Sequence, residues 1–133
     1  MTNDDDVTTI EKLMDACAQG EDFFLVKGSW LDEFYRSSPE TKQRMIDAPP
    51  SKAAQKGCKR EALAYAASMA HKLANDFHLE VPKWVFERQY YLYDKPYFAW
   101  NARGNLRKLF LYVSPPEFKH RNLFVDDKAL SRV

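Results

Sequence analysis

Glycine is scarce in this 133-residue chain, and its four residues, Gly20, Gly28, Gly57 and Gly104, lie far apart. Neither a phosphate-cradling P-loop nor a dinucleotide-binding fingerprint can be built from them, since both need several glycines within a few positions. Cysteine is scarcer still. Cys17 and Cys58 make neither the short paired spacing of a zinc site nor a disulfide framework. No stretch approaches the roughly 18 to 20 apolar residues of a membrane-spanning helix. Net charge is also missing: 20 Lys and Arg against 19 Asp and Glu leave +1. Whole-molecule electrostatics therefore makes no case for nucleic acid or a membrane surface. The opening residues, Met1-Thr2-Asn3-Asp4-Asp5-Asp6, lack the basic flank and apolar core of a signal peptide. These absences lead to the expectation of a soluble cytoplasmic protein with no metal and no cofactor.

What is present has helical periodicity. Residues 8–19 read as a helix capped by Thr8 or Thr9, with Ile10, Leu13, Met14 and Cys17 on one face and Gly20 as its stop. Residues 21–36 read as a second helix with a broad apolar arc. Lys27 falls inside that arc, and the expectation is that its stem lies on the apolar face while the ammonium snorkels out. Ser38-Pro39-Glu40-Thr41 is a helix start that Pro49-Pro50 must end. Residues 48–57 read as a linker. The strongest signal lies at 58–77, where Leu63, Ala66, Ala67, Ala70, Leu73, Ala74 and Phe77 share one face. Its alanines would let a neighbouring helix approach closely.

The later part is less regular. Eight aromatics fall in 84–100, around an Asp94-Lys95-Pro96 turn. Leu106, Leu109, Phe110 and Val113 fit a helix, although Leu109 to Val113 could equally be a strand. Ser114-Pro115-Pro116-Glu117 repeats the earlier start signal. Residues 122–125 read as extended, and 126–130 as a last short helix. The fold class expected is mainly α. It is a compact single-domain bundle over 1–133 with about five to seven helices. One small β element is allowed near 84–113, and residues 1–7 read as a mobile acidic tail.

Charge is divided along the chain. Residues 1–50 carry five basic and eleven acidic side chains; residues 51–133 carry fifteen and eight. The plain reading is that the halves pair within one domain. The sharper reading is a basic binding face made by Arg103, Arg107, Lys108, Lys119 and Arg121, with His120 beside them. Such cations, interleaved with aromatics, suit nucleic acid. No helix-turn-helix ending in a basic recognition helix is visible.

Nineteen aromatics are many for a domain this small. They either fill the core or leave an apolar patch for a protein partner. Candidate contact residues are Phe23, Phe24, Trp30, Tyr90, Tyr91, Trp100 and Phe118. Catalytic chemistry finds little support. His71 and His78 lack metal-ligand spacing, no serine sits in a nucleophile elbow, and Cys58 beside Lys56, Lys59 and Arg60 reads as an incidental thiol. An enzyme would have to work through His71 or His120 with a carboxylate in a deep pocket.

Three segments carry a resemblance. They are Trp30-Leu31-Asp32-Glu33-Phe34-Tyr35-Arg36; Ala70 to Phe77 leading to Val81-Pro82-Lys83-Trp84-Val85; and Ser114 to Val125 closing with Ala129-Leu130-Ser131-Arg132-Val133. In these the chain resembles a family of small, mostly uncharacterised bacterial proteins. It is also similar to the C-terminal region of helix-turn-helix antitoxin-like regulators encoded beside nucleotidyltransferase-type toxins. The resemblance implies a non-enzymatic partner of such a toxin and no catalytic residues. The DNA-reading module of those regulators has no counterpart in the twenty or so residues before the matching region. The expected function is therefore protein binding, with nucleic-acid binding as the alternative and a small enzyme third.

Overall fold

The computed structural model describes residues 7–132. Its capping chemistry follows the sequence closely. Helix α1 (Ile10–Ala18) starts where the Thr9 side chain accepts a hydrogen bond from the Lys12 amide, and Glu11 sits in the first turn. It ends at Gly20, whose φ of 110° suits glycine. Helix α2 (Phe23–Arg36) begins two residues later than expected, because the Asp22 carboxylate caps the Phe24 amide. Helix α3 (Pro39–Asp47) is capped by Ser38 with proline in its first turn.

The 48–57 linker expectation needs correction. Ser51 caps a further helix, α4 (Lys52–Gly57), which buries Ala54 and packs along α1. Gly57 suits this close approach, since a Cβ would stand 3.0 Å from the Cβ of Ala18. The close approach holds α4 down, and a short polar segment gives little sequence sign of it. The acidic-tail expectation also fails at Val7, which is buried and whose carbonyl accepts from Lys12 Nζ at 2.8 Å. Residues 1–6 lie outside the described residues.

Helix α5 (Arg60–Asp76) is the centre of the bundle, as its alanine face requires. Ten of its residues are buried, Leu63 to Ala70 without a break and then Leu73 and Ala74. Short 3-10 turns at Lys83–Phe86 and Arg88–Tyr90 pack across it, with α1 and α7 (Pro116–Lys119). Two indoles lock neighbouring segments through their N–H groups: Trp30 donates to the Thr8 carbonyl and Trp84 to the Ile46 carbonyl.

Strand β1 (Tyr97–Phe98) pairs in parallel with β2 (Leu123–Phe124), Tyr97 opposite Leu123 and Phe98 opposite Phe124. Between them α6 (Gly104–Val113) resolves the helix-or-strand ambiguity in favour of helix. Residues 126–130 form turns rather than a last helix. The Asp126 carboxylate accepts from the Lys128 amide, which closes an Asx-type turn. The fold is mainly α, a bundle of seven α-helices among the described residues with one small parallel β pair. No helix among the described residues is long and apolar enough to cross a membrane.

Candidate functional site

Burial separates the candidate aromatics into two groups. Phe23, Trp30, Tyr90 and Phe118 are buried in the core and cannot meet a partner. Phe23 and Phe118 both set their ring edges against Tyr65, with centroids 5.3 and 5.0 Å away. Trp30 stacks on Phe34, and Tyr90 lies against Trp84. A small bundle fills its interior with large rings, so these four are core packing. Tyr91 is half-buried over the Arg121 guanidinium. Phe24 and Trp100 remain on the surface.

The basic cluster divides in the same way. Arg121 is fully buried, so it is a structural residue and not a phosphate contact. Its guanidinium donates to the Val85 carbonyl at 2.7 Å and the Glu117 carbonyl at 2.8 Å, and it approaches His71 Nδ1 at 3.3 Å. The Tyr91 ring lies 4.9 Å from it. Burial lowers its affinity for the proton, but an arginine so placed remains charged. Arg103, Arg107, Lys108 and Lys119 are exposed. Arg107 stacks on Phe98 at 4.1 Å, and Lys119 donates to the Tyr112 carbonyl.

The two histidines considered for catalysis, His71 and His120, lie apart from each other's rings and from the cavities. His71 packs edge-on to Phe86 beside Arg121, and desolvation pushes its basicity down. His120 is exposed next to Tyr91. Neither lines the two cavities described below. Cys58 donates its thiol to the Met14 carbonyl, and burial raises the pKa of both thiols, Cys17 to about 11. Both therefore stay protonated near neutrality. Among the described residues no group of three or more His, Cys, Asp and Glu could hold a metal.

Exposed apolar surface concentrates around α6. That helix buries Phe110 and leaves Leu106, Leu109, Leu111 and Tyr112 exposed at 43, 51, 47 and 86 %. The i, i+3, i+6 spacing of Leu106, Leu109 and Tyr112 sets them in one strip along the helix, with the half-buried Val113 on the same side and Leu111 on another. Among the described residues no other element packs extensively on α6. Arg107 and Lys108 flank the strip, and Arg103 precedes the helix.

Trp100 precedes this helix in the chain and is 80 % exposed. Its φ is 60°, and Asn101 follows at 50°. Asparagine accepts that left-handed region readily, but a bulky tryptophan does so at a cost of roughly 1 to 2 kcal/mol. The 3-10 turn Ala99–Asn101 kinks at Trp100 and turns the indole outward. Sequence reasoning included Trp100 but missed the strip on α6. The leucine spacing was visible there; nothing in it told an uncovered face from a core face.

Two cavities open near Trp100. One, of about 340 Å³, is lined by Lys27, Phe24, Tyr65, Tyr97 and Trp100. The other, of about 640 Å³, lies toward Cys17 and Cys58 and shares Asp22, Phe24, Tyr97 and Asn101 with the first. The Lys27 ammonium does not snorkel out as the sequence suggests. It donates to the Tyr65 hydroxyl at 2.9 Å and lies 4.7 Å from that ring's centroid.

No family model matches the chain, and comparison with curated proteins and with solved structures finds no relative. The molecule is thus defined by its class, a mainly helical bundle displaying one apolar helix and one strained tryptophan.

Proposed function

We propose that the protein is a non-enzymatic binding module whose contact surface is the Leu106–Leu109–Tyr112 strip of α6 together with Trp100. The observation that carries this reading is the exposed apolar strip on a helix against which, among the described residues, no other element packs extensively. Exposed aromatics and leucines set among arginine and lysine are the composition of protein contacts. Residues at helical spacing are suited to pack against one face of a partner helix. Arg103, Arg107 and Lys108 around the strip favour an acidic partner, so the occupant is an acidic amphipathic helix of another protein. The finer identity of that partner is a toxin or nucleotidyltransferase, with this chain as an antitoxin-like or accessory protein. The support for it is the resemblance of the Trp30–Arg36, Ala70–Val85 and Ser114–Val133 segments.

The test is capture from the native host at near-physiological salt, with and without nuclease, using wild type, Leu109→Asp and a control Leu25→Asp. Leu25 is 74 % exposed on α2 and takes no part in the strip. A stoichiometric protein that survives nuclease, is lost with Leu109→Asp and is kept with Leu25→Asp supports the reading. It must also present an acidic amphipathic helix to the crosslinked strip. Retention by Leu109→Asp removes the α6 contact. Loss of all binding on nuclease treatment transfers the role to Arg103, Arg107, Lys108 and Lys119 as a nucleic-acid surface.

A further inference from the structure

Lys27 is in an unusual position for a surface-helix lysine. Gly28 beside it brings α2 close to the Arg132 guanidinium, which a Cβ there would meet at 3.2 Å. Arg132 is itself occupied by Asp32 through two hydrogen bonds, at 3.0 and 3.2 Å. Lys27 therefore has a second cation nearby and, among the described residues, no carboxylate within ion-pair distance. Among them its hydrogen-bond partner is the neutral Tyr65 hydroxyl, and the rings of Phe24 and Tyr65 lie 5.4 and 4.7 Å from Nζ. Desolvation, reinforced by Arg132, pushes its pKa down to about 8. An ammonium so placed is a donor with unused capacity.

The cavity around it is of ligand size, near the lower end of about 300 to 1,000 Å³. Its walls are flat and apolar: Phe24, Tyr65, Tyr97 and Trp100, closed by Val125 and Ala129. Two carboxylates, Asp22 and Asp126, also line it. The Asp22 side chain caps α2 and the Asp126 side chain accepts from the Lys128 amide. Their charge opposes a multiply charged anion such as a phosphate ester, while a single negative charge placed on Nζ gains a charge-assisted hydrogen bond. The aromatic walls select a flat body.

We propose that this cavity is a binding site for a small aryl carboxylate, with the carboxylate on Lys27 Nζ and the ring between Phe24, Tyr97 and Trp100. The site is independent of the α6 reading and shares with it only Trp100. Binding brings a counter-charge to Lys27 and so draws a proton onto it. The groups that face Lys27 in this response are Tyr65, Tyr97, Asp22, Asp126 and Arg132. Tyr65 and Tyr97 have raised pKa values and stay neutral in this range.

The experiment is calorimetric titration of the full chain with 2-naphthoate at pH 8, in two buffers of different ionisation enthalpy. Expected are saturable 1:1 binding below about 1 mM, proton uptake on binding, and 2-naphthamide weaker by about tenfold or more. Lys27→Met should lose a similar factor and all proton uptake, while Lys27→Arg recovers affinity without uptake. Ala129→Phe, which fills the cavity and leaves Lys27 in place, should also abolish binding. Circular dichroism checks the fold of each variant. Equal binding of naphthoate and naphthamide, unchanged affinity in Lys27→Met, or no saturable binding by folded wild type would each overturn the proposal.

Discussion

Helices α5 and α6 both place apolar residues at helical spacing, yet α5 buries ten residues while α6 buries only Phe110. The difference lies in side-chain size and in what the chain supplies nearby. Five alanines are buried in α5, and they let the 3-10 turns, α7 and α1 approach closely. Leucine and tyrosine on α6 stand too far out to be covered by a short loop. An apolar face thus reports that something must cover it, and its side chains indicate whether the cover comes from within.

The largest effect that sharpens this contrast should come from Arg121, which joins α5 and α7 to the Val85 turn. Arg121→Met leaves the Val85 and Glu117 carbonyls without their donor, and unfolding in urea should show a loss of about 3 kcal/mol. A loss below about 1 kcal/mol would mean that the buried charge opposes the fold as much as its bonds support it. Next comes overpacking. Ala67→Leu on α5 should cost about 1 to 3 kcal/mol, whereas Leu109→Ala on α6 should stay within about 0.5 in the same thermal melts. Equal costs at the two sites would end the distinction between covered and uncovered faces.

Smaller still is the relief of strain at the α6 end. Trp100→Gly should raise the unfolding free energy by about 0.5 to 1 kcal/mol, since glycine accepts a φ of 60°, and on the proposed reading it should lower partner capture. Absence of any gain would show the outward indole to be held without cost. The last effect concerns Lys27, between the two regions. Its folded pKa of about 8 lies below the ordinary 10.5. Between those values the unfolded chain holds more protons, so this lysine makes stability rise with pH from 8 toward 10.5. Tyr65 and Tyr97, with raised values, act in the opposite sense only above about pH 10. Unfolding free energies measured from pH 7 to 10 should thus climb more in wild type than in Lys27→Met, by less than about 1 kcal/mol once solvent screening is allowed for.

The helices were legible because their signals are local. Thr9, Ser38 and the alanine face of α5 act within a turn or two of their own positions. The site was legible only in part, because burial is set by residues far away in the chain. Phe118 and Trp100 are both large aromatics near basic residues. One lies under Tyr65 and the other in solvent, and no local pattern separates them. Arg121 looked like its neighbour Lys119 until the turn after α5 placed the Val85 carbonyl against it. The Lys27 cavity needs α2, α5 and the 97–101 and 125–129 segments together, and composition cannot bring those into one place.

The parallel pairing of Tyr97–Phe98 with Leu123–Phe124 has a consequence for how this sequence can change over time. The two strands act as a clasp, tightened by the Asn122 carbonyl accepting from the Tyr97 backbone N–H and the Asn122 side-chain Nδ2 donating to the Leu92 carbonyl. Residues 99 to 122 run between the two strands, with α7 and Arg121 anchoring the end of that stretch on α5 and the Val85 turn. Substitutions on the outer strip of α6 leave the clasp intact, so the fold does not resist them, and on the proposed reading selection there comes from the partner. The clasp residues answer to the fold instead. One stretch of chain therefore holds two sets of positions under different constraints, free to evolve at different rates.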